Sequence, residues 1–261
     1  MSGSSTPTIG SVQEMIEVFE DFRKGRETRA HQRLWFRGQG DADWVLKPGV
    51  YRDSFAPAVS ERDRNKLERN MNQDFRVSSA GLRDPGMTSE ALYFLQQHYG
   101  MPTRLLDWTV NPIAALYFAV SQPPDEKDGA VFMMDVFKFD LKPMKFRDIA
   151  TADDGLLQSA VRAVSGAGDF PAKTFPVWPD RSDIRMQLQR SGFTFHVPNE
   201  HEITPEVNRS LRKVRIAKDA KEKINSQLVA FGVDGLSVFG DLESLARHLK
   251  GVYGIGRKPA K

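Results

Sequence analysis

The stretch from His98 to Ala119 constrains the fold more than any other part of the chain. Gly100-Met101-Pro102 ends one helical pattern, because glycine accepts the backbone that closes a helix and proline cannot continue it. Asn111-Pro112 opens another. The asparagine side chain can accept from free backbone N–H groups, and proline lacks the N–H that the first helical position would leave unbonded. The first pattern starts at Thr88 or Ser89 and turns Leu92, Leu95 and Tyr99 inward. Between the two lie Thr103, Arg104, Asp107, Trp108 and Thr109, more polar chemistry than a turn needs. The spacing therefore predicts two helices joined by a segment, 101–110, that carries function.

The flanking sequence supplies the remaining elements. Ser11-Val-Gln-Glu14 reads as a capping box ahead of Val12, Met15, Ile16, Phe19 and Phe22 at helical spacing. Leu34-Trp35-Phe36 reads as a buried strand that runs into an Arg37-Gly38-Gln39-Gly40 turn. Leu67, Met71 and Phe75 predict an amphipathic helix over 61–76 with a solvated charged face. Further on come a strand over 129–139, a helix over 153–164 and a loop over 166–179. A short helix over 183–190 precedes strands at 192–196 and 214–217. Helices around Ile224, Leu228 and Phe231 and over 241–249 close the pattern. That order is α+β rather than a β-α-β alternation. It predicts one domain over 11–250 between flexible segments 1–10 and 251–261.

Composition narrows the chemistry. The 261 residues include no cysteine, which excludes disulfides, thiolate catalysis and sulfur-ligated metals. The five histidines form no His-x3-His or His-Glu-x-x-His pattern, so no metal site is expected. With 37 basic and 34 acidic residues, the net charge of +3 says little about partners. No window reaches the roughly 18–20 apolar residues of a membrane span, and the first residues lack a basic-then-apolar signal. The expectation is a cytoplasmic protein with no membrane partner.

Candidate functional groups lie at the ends of apolar elements. Arg37, beside Gly38 and Gln39, can hold a phosphate or carboxylate while the backbone approaches closely. It can equally pair with Asp107 to tie two segments together. Arg104 and Asp107 flank two leucines, and a charge buried with them needs a partner or a ligand. Asp107 or Thr109 can instead cap the next helix, and Trp108 can fill core. Tyr117 and Phe118 can stack on a flat ring or pack inward. His98 reads as a general base or a satisfied turn histidine. Gln189 stands just before a strand. Basic residues gather at Arg209–Arg215 and Lys218–Lys223, as a solvated face or a nucleic-acid contact.

Leu34-Trp35-Phe36-Arg37-Gly38-Gln39 leads a longer set of motifs. The run from Gln97 to Pro112 follows, then Ala115-Leu116-Tyr117-Phe118-Ala119, then Arg185, Gln189, Gly192 and Phe193, and finally Phe231-Gly232-Val233 and Phe239-Gly240-Asp241-Leu242. Together they resemble the FRG domain family. The layout is also similar to that of ADP-ribosyltransferases, which carry Arg or His on one strand, a Ser/Thr and aromatic segment before and within a helix, and Glu or Gln on a later strand. That resemblance implies a central split or mixed β-sheet flanked by helices, with NAD+ as substrate. It implies Arg37, Asp107 and Gln189 as catalytic residues, and Gly38, Gln39, Arg104, Trp108, Thr109 and Tyr117 as ligand contacts. Glutamine replaces the glutamate that many such transferases use, and Glu202 is the carboxylate that could substitute in space. The acceptor implied is a nucleic acid or a protein, and the role a toxin or antiphage defence effector, restrained by an antitoxin or other regulatory protein. The alternative is a non-catalytic module that binds an anionic ligand or nucleic acid.

Overall fold

Seven strands form one mixed sheet in the order β1-β7-β4-β2-β3-β6-β5. The strands are β1 (Thr8–Ile9), β2 (Leu34–Gln39), β3 (Leu105–Thr109), β4 (Gly129–Asp135), β5 (Phe175–Val177), β6 (Ser191–Phe195) and β7 (Arg212–Ile216). Only β1 and β7 run parallel; every other neighbouring pair is antiparallel. Among the described residues the helices are α1 (Val12–Arg23), α2 (Glu61–Ser78), α3 (Ser89–His98), α4 (Pro112–Ser121), α5 (Gly155–Val164), α6 (Lys221–Ala230), α7 (Gly235–Phe239) and α8 (Leu242–Val252). This computed structural model describes residues 6–26, 33–55, 59–121, 126–139, 149–179, 190–204, 208–253 and 255. The architecture is α+β, and no helix among the described residues is long and apolar enough to cross a membrane.

The sheet is split at its centre. Strand β2 pairs with β4 through all six of its residues, yet it meets β3 only at Phe36 opposite Thr109. β3 in turn pairs with β6 from Leu105 to Thr109. Because β2 and β3 are antiparallel, they part on the side that holds Arg37–Gln39 and Asp107. Cross-strand pairs share a face, so Phe36, Thr109 and Leu105 look the same way. On that face two cores stand apart. Leu34, Phe36, Val131, Met133 and Ile216 pack under α1, α4 and α6, whereas Leu105, Phe193 and Phe195 pack under α3 and α5. The opposite face is one continuous core built on Trp35, Leu106, Trp108, Phe132 and Trp178.

Close packing of α4 explains the glycines of this region. A Cβ on Gly38 would stand 1.9 Å from the Ala115 carbonyl oxygen, and one on Gly129 2.5 Å from that of Ala119. Alanines on the helix and glycines on β2 and β4 thus let the backbones approach. Asn111 starts α4 as expected, its Oδ1 accepting from Ile113 and Ala114 N–H at 3.0 and 3.3 Å. Thr88 and Ser11 likewise cap α3 and α1. Glu14, expected to reach back to the Ser11 N–H, bonds the Gly10 N–H instead, at 2.7 Å.

Several expectations need correction. The segment read as a helix-to-helix link contains β3, because Leu105, Leu106 and Trp108 are buried and its backbone finds partners on β6. Arg37, Gly38 and Gln39 lie inside β2 rather than in a turn after it. The loop expected over 166–179 holds β5, an edge strand that tolerates Pro176. The short helix α7 was not anticipated. Tyr99, expected to point inward, is 70% exposed just beyond α3. On α2 the expected apolar stripe is only partly covered, with Met71 and Phe75 half-buried and Leu67 44% exposed, while Glu68 is buried. The helix expected over 183–190 lies outside the described residues except for Arg190.

Candidate functional site

The parting of β2 and β3 opens into a cleft of about 1370 Å³. Arg37, Gly38 and Gln39 form one wall, and Asp107, Trp108 and Thr109 another. The end of α3 contributes Gln97 and His98, the loop after β2 contributes Lys47 and Arg52, and Phe118 and Phe239 add an apolar side. Those two rings meet edge to face, 5.6 Å between centroids. Pockets for small ligands commonly have this make-up of aromatic surface and a few placed polar groups.

Arg37 bridges the split. Its Nη1 donates to the Asp107 carbonyl oxygen at 2.7 Å and stands 3.6 Å from Asp107 Oδ2. A side chain thereby takes a backbone acceptor that a continuous ladder would have given to a strand N–H. Its Nε has no partner. Burial pushes the guanidinium pKa down to about 10, with Asp107 opposing and the Arg52 charge adding to the fall. The group stays protonated at neutral pH, and an anion delivered to it would relieve that strain.

Asp107 is more open, with 53% of its side chain exposed. Gln97 Nε2 donates to its Oδ2 at 2.9 Å, and Thr103 Oγ1 donates in turn to Gln97 Oε1. The carboxylate is therefore aimed by a relay that starts on α3. Gln39 is the other unusual group. It is only 5% exposed, and its Oε1 lacks any hydrogen-bond donor. A buried amide oxygen in that state is costly, and such atoms mark places where a structure expects something more.

The remaining expected contacts divide. Thr109 lines the cleft, and its Oγ1 accepts from the Asn111 N–H at 3.0 Å, which shapes the turn into α4. Trp108 touches the cleft, but its indole is buried in the continuous core and Nε1 donates to Thr194 Oγ1 at 3.2 Å. Its ring is core rather than a stacking platform. Tyr117 points away, toward Gly235 at the start of α7, and lies in the core under α4. The neighbouring Phe118 occupies the place expected of it. Gln189 and Arg185 lie outside the described residues.

Arg104 is also absent from the cleft. It is fully buried, with Nε 2.8 Å and Nη2 2.7 Å from Glu68 Oε2. The Tyr51 hydroxyl and Asn65 Oδ1 take further guanidinium hydrogens, Glu61 stands 3.7 Å off, and the Phe170 ring lies 4.2 Å from Cζ. Burial alone would lower its pKa, but Glu68 and Tyr51 outweigh that and hold it raised. All three guanidinium nitrogens are engaged within the protein, away from the cleft. The expected anion contact is a structural anchor that joins α2 to β3.

Glu202 lines a separate groove of about 1240 Å³ between α1 and β7 and is not part of the cleft. Charges in that groove pair among themselves, as Arg212 does with Asp21 at 2.9 Å. Among the described residues no three His, Asp or Glu side chains gather to hold a metal ion. Sequence reasoning missed Lys47, Arg52 and Phe239. The only available signal was the Lys47-Pro48-Gly49 turn, which brings two cations back toward β2.

Residues 32–128 match the model of the FRG domain family. The matched segment runs from just before β2 to just before β4 and contains both walls of the split. No curated protein and no solved structure matches the chain.

Proposed function

We propose that the cleft of this FRG domain binds NAD+ and that the protein transfers the ADP-ribosyl group to a nucleic acid or protein acceptor. The observation that carries the reading is that two residues lining one cleft, Arg37 and Gln39, each hold a buried, unsatisfied polar atom, Nε and Oε1, beside the Asp107 carboxylate. A dinucleotide offers what those groups lack: an anionic pyrophosphate, a flat ring and amide hydrogens. In this reading Arg37, with Lys47 and Arg52, holds the pyrophosphate, and Phe118 and Phe239 pack against the nicotinamide. Gly38 lets α4, which carries Phe118, pack closely against β2 beside the ligand.

The chemistry follows from those positions. The bond between the nicotinamide nitrogen and ribose C1′ breaks, its electron pair leaves with the neutral nicotinamide, and positive charge develops on the ribose. Asp107 stabilises that charge. The acceptor nucleophile then bonds to C1′, and its proton passes to Asp107 or to water. The role that the resemblance gives Gln189, outside the described residues, is to orient the ribose or acceptor, since an amide can hydrogen-bond but cannot act as a base near neutral pH. A toxin or antiphage defence effector restrained by a partner protein is the role that suits such an enzyme.

A second reading is favoured by one observation. Asp107 is already engaged by Gln97 and Arg37, as in a site that binds an anion without reacting. Incubation with NAD+ and cellular RNA, DNA or protein, followed by mass spectrometry, separates the two. The transferase reading expects nicotinamide release and an ADP-ribose adduct. Folded protein that binds NAD+ yet gives neither would leave the binding module standing.

A further inference from the structure

We propose that Gln39 is the residue that reads the carboxamide on the ligand's ring, so that the cleft accepts the amide-bearing dinucleotide and rejects its carboxylic acid counterpart. The proposal rests on NAD+ as the ligand and specifies how the site recognises it. Gln39 ends β2, where the strand still pairs with β4 at Ala130 but has left β3. The fold therefore fixes its backbone on one side and opens it to the cleft on the other. The residue is 5% exposed, lines the cleft and carries an Oε1 without a donor among the described residues.

A buried acceptor of this kind is satisfied by an N–H. The cations of the cleft do not donate to it in the structure: Arg37 Nη1 donates to the Asp107 carbonyl, and Arg52 Nε to the Lys47 carbonyl at 3.1 Å. A primary carboxamide supplies the missing N–H to Oε1 and can accept from Gln39 Nε2, a reciprocal pair of hydrogen bonds. A carboxylate in the same place has no hydrogen to give and sets a negative oxygen against Oε1. Sites built on such pairing reject the analogue that lacks the donor, because the buried group is then left unpaired.

Binding of NAD+ and of nicotinic acid adenine dinucleotide to the full chain, measured by calorimetry, tests this. Wild type should bind NAD+ at least tenfold more tightly than the acid. Gln39→Met, and Gln39→Leu as a second variant, should lose at least tenfold in NAD+ affinity and lose the preference. Both should melt at or above the wild-type temperature, since an unsatisfied buried amide has been removed. Equal wild-type affinities, or a preference that survives in both variants, would overturn the proposal while leaving NAD+ as the ligand. Failure of wild type to bind either dinucleotide would overturn the NAD+ reading as well.

Discussion

Arg37 and Arg104 begin alike, as basic residues beside apolar runs, and end in opposite states. Arg104 is held by Glu68, Asn65 and Tyr51 within a packed interior, whereas Arg37 has an Nε with no partner among the described residues, at the edge of a cleft. The difference comes from the strands. Arg104 immediately precedes β3 where that strand is paired with β6 and covered by α2, while Arg37 lies on β2 after that strand has left β3. A charge is structural where the fold can surround it and available where the sheet parts.

The sharpest way to break this contrast is to remove the interior arginine. Arg104→Met strands Glu68 in the interior, a carboxylate whose pKa burial already raises against the pull of Arg104. Loss of one partner from a buried pair costs about 3–5 kcal/mol, and replacing both with apolar residues of similar volume recovers much of it. Urea denaturation should therefore show a large loss for Arg104→Met and a smaller one for Arg104→Met with Glu68→Leu. A single variant within about 1 kcal/mol of wild type would show that the network is not an anchor.

A titration probes the same closed region. His196 is buried beside β3, its backbone N–H bonded to the Arg104 carbonyl at 2.9 Å. Its ring lies within a chain with one consistent direction. Trp108 Nε1 donates to Thr194 Oγ1, the Thr194 hydroxyl donates to His196 Nε2, and His196 Nδ1 donates to the Glu200 carbonyl. That chain requires a neutral ring, and burial lowers its pKa from 6.5 to about 3. Below pH 6.5 the unfolded chain takes up a proton that the folded chain refuses. Stability present above 6.5 is thus lost as pH falls toward 3, by up to about 1.4 kcal/mol per pH unit from this group. Denaturation of wild type and His196→Gln between pH 7 and 4 should show a shallower acid loss in the variant. Parallel curves would remove His196 from the account.

How much of this could be read from the residues differs between the two regions. The helix caps at Thr88 and Asn111, the α+β class and the pairing of Arg37 with Asp107 follow from local chemistry, and the structure contains them. The role of Arg104 does not. Its partners Glu61, Asn65 and Glu68 sit at positions i, i+4 and i+7 of α2, a polar stripe that turns inward while Leu67 of the apolar stripe stays partly exposed. Hydrophobic periodicity finds the helix but misses its most buried stripe, because it assumes that the buried stripe is apolar. The strand β3 was hidden for a related reason. Five residues between helix signals look like a link until β6, far along the chain, supplies the ladder. Tyr117 and Phe118 show the limit of spacing alone: both lie on α4, and only packing decides that Phe118 borders the cleft.

The smallest expected change in stability is also the most informative. Arg37→Ala removes the bond to the Asp107 carbonyl, yet it also removes a guanidinium whose burial lowers its pKa to about 10. The two effects oppose, and the net change should be within about 1 kcal/mol. Binding should behave differently. A cation that holds a pyrophosphate through charge-assisted bonds contributes about 1.5–3 kcal/mol, so NAD+ affinity should fall at least tenfold and turnover should vanish. Thermal melts and calorimetry on the same sample read both quantities. A melting temperature near wild type with binding lost places Arg37 in the site; a large drop in stability with NAD+ binding unchanged would make it a second anchor, and the contrast with Arg104 would disappear.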